Sequence, residues 1–352
     1  MRVLRGRRRG GKYFITHHSI GSPHPAKATP EVKAPRLTVV AGHAFAYSPP
    51  VTGEAQPITA STRYCAVFGS PVRHSASPPM QNAGIAALGL DWRYLACEVH
   101  PDDLHSAING ARTMHFIGLN LTVPHKLLAM NMMDVLDESA SEWGAVNTIR
   151  FEGRDANGDW QPLHMFDNAP AELRSHGFNT DADAITQSLR EDLGMEVRGE
   201  TILLLGAGGA GRVAALKLAS AGAKSLHLVN RTASKAEAIA GEIRVRFPAV
   251  EVAVGLPQGE VDLAMNATSL GLKKGDPLPG EGFPLAKARA AFDMIYQPAE
   301  TPFLAAAREA GCRTANGLGM LLHQGATALE IWSGQSAPLD AMRAALKETV
   351  YA

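Results

Sequence analysis

The 352-residue sequence predicts an α/β protein of two domains, and three features of its pattern carry that expectation. Short apolar runs alternate with helical segments from Tyr64 onward. A second alternating set starts near Asp181, and inside it a glycine-rich turn joins a strand to a helix. Strands that alternate with helices build βαβ units and largely parallel sheets.

In the first set "YCAVFG" reads as a buried strand, "SPPMQNAGIAAL" as a helix, "WRYLACEV" as a strand, "PDDLHSAINGA" as a helix and "FIGLNLTV" as a strand. After "GAVNTIRF", residues 152–176 are polar and contain Gly and Asn, which predicts a loop or a short hairpin inserted at an edge. In the second set "DADAITQSLREDLG" is a helix, "ETILLLG" a strand, "GAGRVAALKLASAG" a helix, "SLHLVN" a strand and "TASKAEAIAGEIRVRF" a helix. Two further strands, "VDLAMNAT" and "AAFDMIY", follow. "NGLGMLLHQGATALEIWSG" and "PLDAMRAALKETV" close the chain as helices with apolar residues three and four apart. No internal repeat of fixed period is present.

A hydrophobic content of 45% with 19% charged residues suits a globular chain with room for two cores. The zero net charge hides an asymmetry: residues 1–60 hold nine Lys and Arg against two acids, and the remainder holds 25 against 32. That mildly acidic body argues against nucleic acid as a partner. Three scattered cysteines, Cys65, Cys97 and Cys312, give neither a metal pair nor a disulfide framework, so no metal is expected and a reducing cytoplasm fits best. No run of eighteen apolar residues exists, and the basic start lacks the apolar stretch of a secretory signal, so neither a membrane span nor export is expected. Residues 1–60 carry no acid before Glu31 and are broken by Pro and Gly. They read as a disordered tail or an over-long start, with a transit-like segment or a basic interaction arm as the alternatives.

The glycine turn carries chemistry. Gly206, Gly208 and Gly211 stand at G-x-G-x-x-G spacing between "TILLL" and a helix, with Ala207, Gly209 and Ala210 as the other small residues of the loop. Small residues let the backbone approach a pyrophosphate, and the helix start presents N–H groups to it. At the end of the next strand an acid would select NAD through the ribose hydroxyls. This chain instead has Asn230, Arg231 and Thr232, with Lys235 one turn later, which favours the 2′-phosphate of NADP. Without a ligand, Arg231 would be a solvated loop cation and Thr232 a helix cap.

Other stretches place polar groups at helix starts. In "GLNLTVPHKLLAM", Lys126 falls in the first turn of a helix, where backbone N–H groups carry roughly half a positive charge and disfavour a cation. In "HSASPP", Ser77 precedes Pro78 and reads as the helix cap, whereas Ser75 is not needed for capping. Two hydroxyls beside a helix N-terminus make an anion receptor. Thr122 can hydrogen-bond a ligand hydroxyl. Asp181 either caps the helix it begins or partners a cation.

Taken in order over about residues 63–335, "GSPVRHSASP", "NLTVPHK", "GAVNT", "GFNTDA", "GAGGAG", "NRT", "NATSLG", "DMIY" and "GLGMLLHQ" resemble the shikimate dehydrogenase family. The resemblance implies a substrate-binding α/β domain over 61–180, completed by 317–352. It also implies a Rossmann-like NADP-binding domain over 181–316, with the active site in the cleft between them. Ser75 and Ser77 are implied to hold the shikimate carboxylate, Lys126 and Asp181 to form the catalytic pair, and Asn147, Tyr296 and Gln324 to contact the substrate. Thr268, Ser269, Met294 and Gly317 are implied to lie near the nicotinamide half of the cofactor. The family commonly has glycine after the catalytic aspartate, and here Ala182 stands there. The implied reaction is reversible NADP-linked reduction of 3-dehydroshikimate to shikimate, a step toward the aromatic amino acids. A quinate/shikimate enzyme of broader range or NAD use is the nearest alternative, and a ligand-binding sensor without turnover a more distant one. Monomer and homodimer both stay open.

Overall fold

The structure is a computed structural model and describes residues 57–351. The basic tail expected over 1–60 therefore lies, up to residue 56, outside the described residues.

Two sheets organise the described chain. β1 (Arg63–Gly69), α1 (Ser77–Ala87), β2 (Trp92–Glu98), α2 (Leu104–Thr113) and β3 (Gly118–Leu121) alternate as the sequence pattern demands. Their strands lie parallel in the order β2-β1-β3. After them come a single-turn helix α3 (His125–Leu128), β4 (Val135–Leu136), α4 (Glu138–Trp143), β5 (Thr148–Arg154), β6 (Trp160–Pro162) and β7 (Leu173–Phe178). β5 runs antiparallel to β3, β6 and β7, so this first sheet is mixed. The polar stretch 152–176 is thus a hairpin and a strand joined to the middle of the sheet, not an edge insertion. Its polarity misleads because the charges are satisfied internally. Glu152, 1% exposed, accepts from Arg150 and Arg174 and lies 3.0 Å from His176 Nδ1.

The second sheet is parallel throughout. α5 (Asp181–Leu193), β8 (Thr201–Leu205), α6 (Gly209–Ser220), β9 (Ser225–Val229), α7 (Ala233–Arg246), β10 (Glu251–Val254), β11 (Val261–Asn266), β12 (Ala288–Asp293), α8 (Pro302–Glu309) and β13 (Arg313–Asn316) follow in turn. The six strands order as β10-β9-β8-β11-β12-β13. β10 and β13 are four residues each with none buried and form the two edges, so no apolar run marks them in the sequence. Strand order reverses at β8, which opens a crevice at the carboxyl ends of β8 and β11, the usual ligand position in such sheets.

The last helices, α9 (Leu318–Ser333) and α10 (Leu339–Tyr351), return to the first sheet. Leu322, Leu329, Trp332, Met342 and Leu346 share a buried cluster with Met80, Ile85 and Ile149, and Trp332 Nε1 donates to Ile149 O at 2.9 Å. In the other direction Trp143, at the end of α4, packs into the core of the second sheet, and Arg212 of α6 donates to its carbonyl at 2.7 Å. Each sheet therefore keeps part of the other's chain in its core, and the cleft between them is built of both.

Candidate active site

Lys126 is the key to the cleft. β3 runs straight into the short α3, and the Lys126 ammonium leaves that turn to donate to Asp181 Oδ2 at 2.7 Å. The cation that the helix start disfavours is compensated by a carboxylate 55 residues away in sequence. Asp181 is the first residue of α5 and does not cap it. Thr180 occupies the cap position, and Asn179 just before it serves the free N–H groups, its Oδ1 accepting from Asp181 N at 3.1 Å and Ala182 N at 3.2 Å. Ala182, where the family has glycine, is helical, and its methyl group is buried in the second core.

Asn147 stands behind this pair. Expected to contact substrate directly, it is 1% exposed and its amide is committed. Its Nδ2 donates to Asp181 Oδ1 and Thr180 Oγ1, both at 2.9 Å, and its Oδ1 accepts from Thr180 N at 2.8 Å. The antiparallel pairing of Thr148 with Phe178 forces this position, because it lays the residue before β5 against the turn after β7. Asn147 thus fixes the carboxylate and is not part of the cavity wall.

The wall belongs to other residues. A cavity of about 270 Å³ is lined by Ser75, Ser77, Asn120, Thr122 and Lys126 from the first sheet and its loops, and by Asp181 at the crossing between domains. Ala210, Thr268, Met294, Tyr296 and Gly317 line it from the second sheet, and Gln324 from α9. Ser77 is corrected as a cap: Ala76 occupies the cap position, Ser77 opens the helix and Pro78 is second. Ser75 Oγ accepts from Ser77 N at 3.3 Å instead, so the serine not needed for capping supports the turn. Gln324 Nε2 donates to Leu321 O at 2.9 Å within its own helix while the residue lines the cavity. Tyr296 reaches from the second sheet toward the Ala76 backbone, and burial raises its phenol above the usual value.

Sequence reasoning missed Asn120. A buried asparagine in a four-residue strand was the signal, since alternation along β3 puts it on the same side as Thr122. It also missed Asp293, fully buried below Met294, whose carboxyl burial pushes up. That carboxyl accepts from Asn266 Nδ2, Ile295 N and Thr301 Oγ1 at 2.7–3.0 Å and so shapes the loop through Met294 and Tyr296.

A second cavity, about 500 Å³, runs along the crevice of the parallel sheet past Gly206, Ala207, Gly208, Asn230, Arg231, Thr232, Lys235, Thr268 and Ser269. Gly211 lies beneath it, and a Cβ there would stand 2.2 Å from Gly206 O, so only glycine lets the loop fold this tightly. Gly209 and Ala210 face an apolar recess beside Lys126. Asn230 is scaffold: its Oδ1 accepts from Ala207 N at 3.0 Å and its Nδ2 donates to Thr232 O at 2.9 Å. Thr268 is likewise tied to Asn266 Oδ1, at 2.7 Å, where the two cavities meet. Thr232 occupies the α7 cap position without a side-chain cap bond. Arg231 and Lys235 have no side-chain partner among the described residues, and no acid lines this cavity. Unpaired cations over a glycine cradle fit a dinucleotide that carries an extra phosphate. A Cβ at Gly317 would fall 2.2 Å from Met294 O, so the wall of the first cavity is also closely packed there.

Family models match this architecture. Residues 67–149 match the shikimate dehydrogenase substrate-binding domain, 188–267 the shikimate/quinate 5-dehydrogenase family and 317–347 the shikimate 5′-dehydrogenase C-terminal domain. The shikimate dehydrogenase (NADP(+)) of Geobacter metallireducens is 39% identical over 297 residues, spanning 81% of this chain and 96% of the relative. The chain belongs to the shikimate dehydrogenase family.

Solved structures agree in fold. Shikimate 5-dehydrogenase of Thermus thermophilus, in complex with NADP(H) and shikimate, aligns at TM-score 0.67 and 34% identity over 82% of this chain and 99% of its own. The ligand-free 5-ketofructose reductase of a Gluconobacter strain aligns at TM-score 0.68 and 32% identity, with 82% and 99% covered. The family fold is therefore shared with a differently named reductase, and the site residues have to carry the choice of substrate.

Proposed function

We propose that the protein is an NADP-dependent shikimate dehydrogenase that interconverts 3-dehydroshikimate and shikimate. The observation that carries this reading is the 2.7 Å Lys126–Asp181 pair in the wall of a cavity with hydroxyls at one end and the dinucleotide crevice at the other. The name of the Geobacter relative and the ligands named for the Thermus structure support it.

Each wall residue then has a task. Ser75 and Ser77, beside the start of α1, receive the ring carboxylate through hydroxyl and helix-end N–H groups. Thr122, Asn120, Gln324 and Tyr296 offer neutral donors and acceptors to ring hydroxyls, whose burial unpaired would cost about 1–3 kcal/mol each. Lys126 donates a proton to the carbonyl oxygen at ring C3 in reduction and recovers it from the hydroxyl in oxidation. Its side chain is 31% exposed, so the neutral amine left after reduction is reprotonated from water. Asp181 holds the ammonium in place and is itself held by Asn147. Bound NADPH supplies the hydride for the same carbon. Gly206, Ala207, Gly208 and the α6 start hold its pyrophosphate, Arg231, Thr232 and Lys235 its 2′-phosphate, and Thr268, Ser269, Met294 and Gly317 border its nicotinamide half.

The cavity is completed within one chain, so either a monomer or a homodimer would be active. Among the described residues the three cysteines are free, and no helix is long and apolar enough to cross a membrane. Both facts support a cytoplasmic enzyme. The deciding assay follows NADPH formation from shikimate, then from quinate, then with NAD in place of NADP. Shikimate with NADP is the expected best combination. Binding of NADP without turnover of either acid would refute the proposal and favour a sensor.

A further inference from the structure

Tyr94 lies under the substrate cavity without touching it. It is 2% exposed, on β2, and its ring rests against Trp332 with centroids 6.1 Å apart. Both of its backbone groups are bound by one side chain. Asn82 of α1 donates to Tyr94 O and accepts from Tyr94 N, each at 2.9 Å. The tyrosine is thereby locked to the helix that begins with Ser77.

Its phenol holds a wall residue. The hydroxyl donates to Asn120 Oδ1 at 2.7 Å. Because Asn120 Oδ1 is taken, the amide orientation is settled. Its Nδ2 donates to Thr148 Oγ1 at 3.0 Å, Thr148 Oγ1 donates to Asn147 Oδ1 at 3.2 Å, and Asn147 Nδ2 donates to Asp181 Oδ1 at 2.9 Å. Every donor from Tyr94 onward points toward Asp181, which accepts from Lys126 on its other oxygen. A chain polarised in one direction strengthens each of its members.

We propose that Tyr94 is a positioning residue for substrate recognition: its buried hydroxyl orients Asn120 and anchors the hydrogen-bonded chain that runs beneath the cavity to the Lys126–Asp181 pair. The inference rests on the shikimate reading of the cavity. A tyrosine here does what phenylalanine, equally able to fill the space, does not. It tells the Asn120 amide which way to face before substrate arrives.

The test is steady-state kinetics of Tyr94→Phe, Asn120→Ala and the double variant, with NADP and shikimate varied separately. Tyr94→Phe is expected to raise the KM for shikimate about tenfold, to lower kcat much less and to leave the KM for NADP unchanged. A merely structural tyrosine would shift the thermal midpoint and leave the ratio of the two KM values alone. The double variant should be no worse for shikimate than Asn120→Ala, because one residue acts through the other. Unchanged shikimate KM in Tyr94→Phe, or multiplicative losses in the double variant, overturns the proposal. If Tyr94→Phe does not fold, Thr148→Val, which breaks the chain below the cavity without altering its wall, decides: an unchanged KM for shikimate overturns the proposal and a raised one supports it. Wild type without shikimate turnover would instead defeat the functional reading, a distinguishable result.

Discussion

Replacing Lys126 by alanine removes the ammonium 2.7 Å from Asp181 Oδ2 and separates catalysis from folding. Asp181 keeps its bond from Asn147 Nδ2 at 2.9 Å and its place at the start of α5, where a negative charge is favoured. Folding should therefore lose only about 1–3 kcal/mol, the scale of one charge-assisted hydrogen bond, and not the larger penalty of stranding a wholly unpartnered buried ion. Turnover should suffer far more. A positioned proton donor contributes roughly 10²- to 10⁴-fold, which is ~2.7 to 5.4 kcal/mol of barrier. NADPH formation from shikimate measures kcat, and NADPH fluorescence in the binary complex measures cofactor affinity. The expected variant is folded and binds NADPH normally, since Lys126 does not line the dinucleotide crevice. Asp181→Asn should fall in the same direction, and the double variant should be little worse than the more damaging single, because the pair acts as a unit. A Lys126→Ala enzyme within about threefold of wild-type kcat, a loss of under ~1 kcal/mol, would refute the assignment.

Three further outcomes are expected. Arg231→Ala should cut kcat/KM with NADP by about 10- to 100-fold, the worth of a charge-assisted phosphate contact, and barely affect NAD; equal losses for both cofactors would contradict the placement of the 2′-phosphate. Gly211→Ala would put a methyl 2.2 Å from the Gly206 carbonyl oxygen, a backbone atom with little room to yield. It should destabilise by roughly 1–3 kcal/mol and weaken NADP binding, whereas a wild-type thermal midpoint with normal NADP affinity would show that the loop has room to yield. Glu152 supplies a pH signature: burial alone would raise its carboxyl, but the hydrogen bonds from His176, Arg150 and Arg174 bring it down to about 2 from an ordinary 4.5. Its folded value is the lower one, so its stabilisation is complete above the ordinary value and is lost as pH falls from about 4.5 toward 2. The thermal midpoint of wild type should drop across that window more steeply than that of Glu152→Gln, and parallel declines would disprove the link.

Local chemistry made the pattern of strands and helices readable through most of both sheets. Where it failed, side-chain character had been uncoupled from backbone structure. Residues 152–176 look like a loop because they are polar, yet Glu152, Arg150, Arg174 and His176 satisfy one another on paired strands. Ser77 looks like a cap because Pro78 follows it, yet the helix starts one residue earlier and takes Ala76 as its cap. Asn147 and Asn120 could each have been a wall residue, and only the strand pairing put the first behind Asp181 and the second in front of the cavity.

By itself the chain's order of residues determined the α/β alternation, the strand–glycine–helix turn and the absence of an acid after β9, since these depend on neighbours within a few residues. Tertiary structure alone decided that Lys126 meets Asp181, that Gln324 returns from the C-terminal helix to the same cavity, and that Tyr94 reaches Asn120 from below. Such meetings come from the pairing of β5 with β7 and the packing of α9 on the first sheet, contacts between distant segments that no local period encodes.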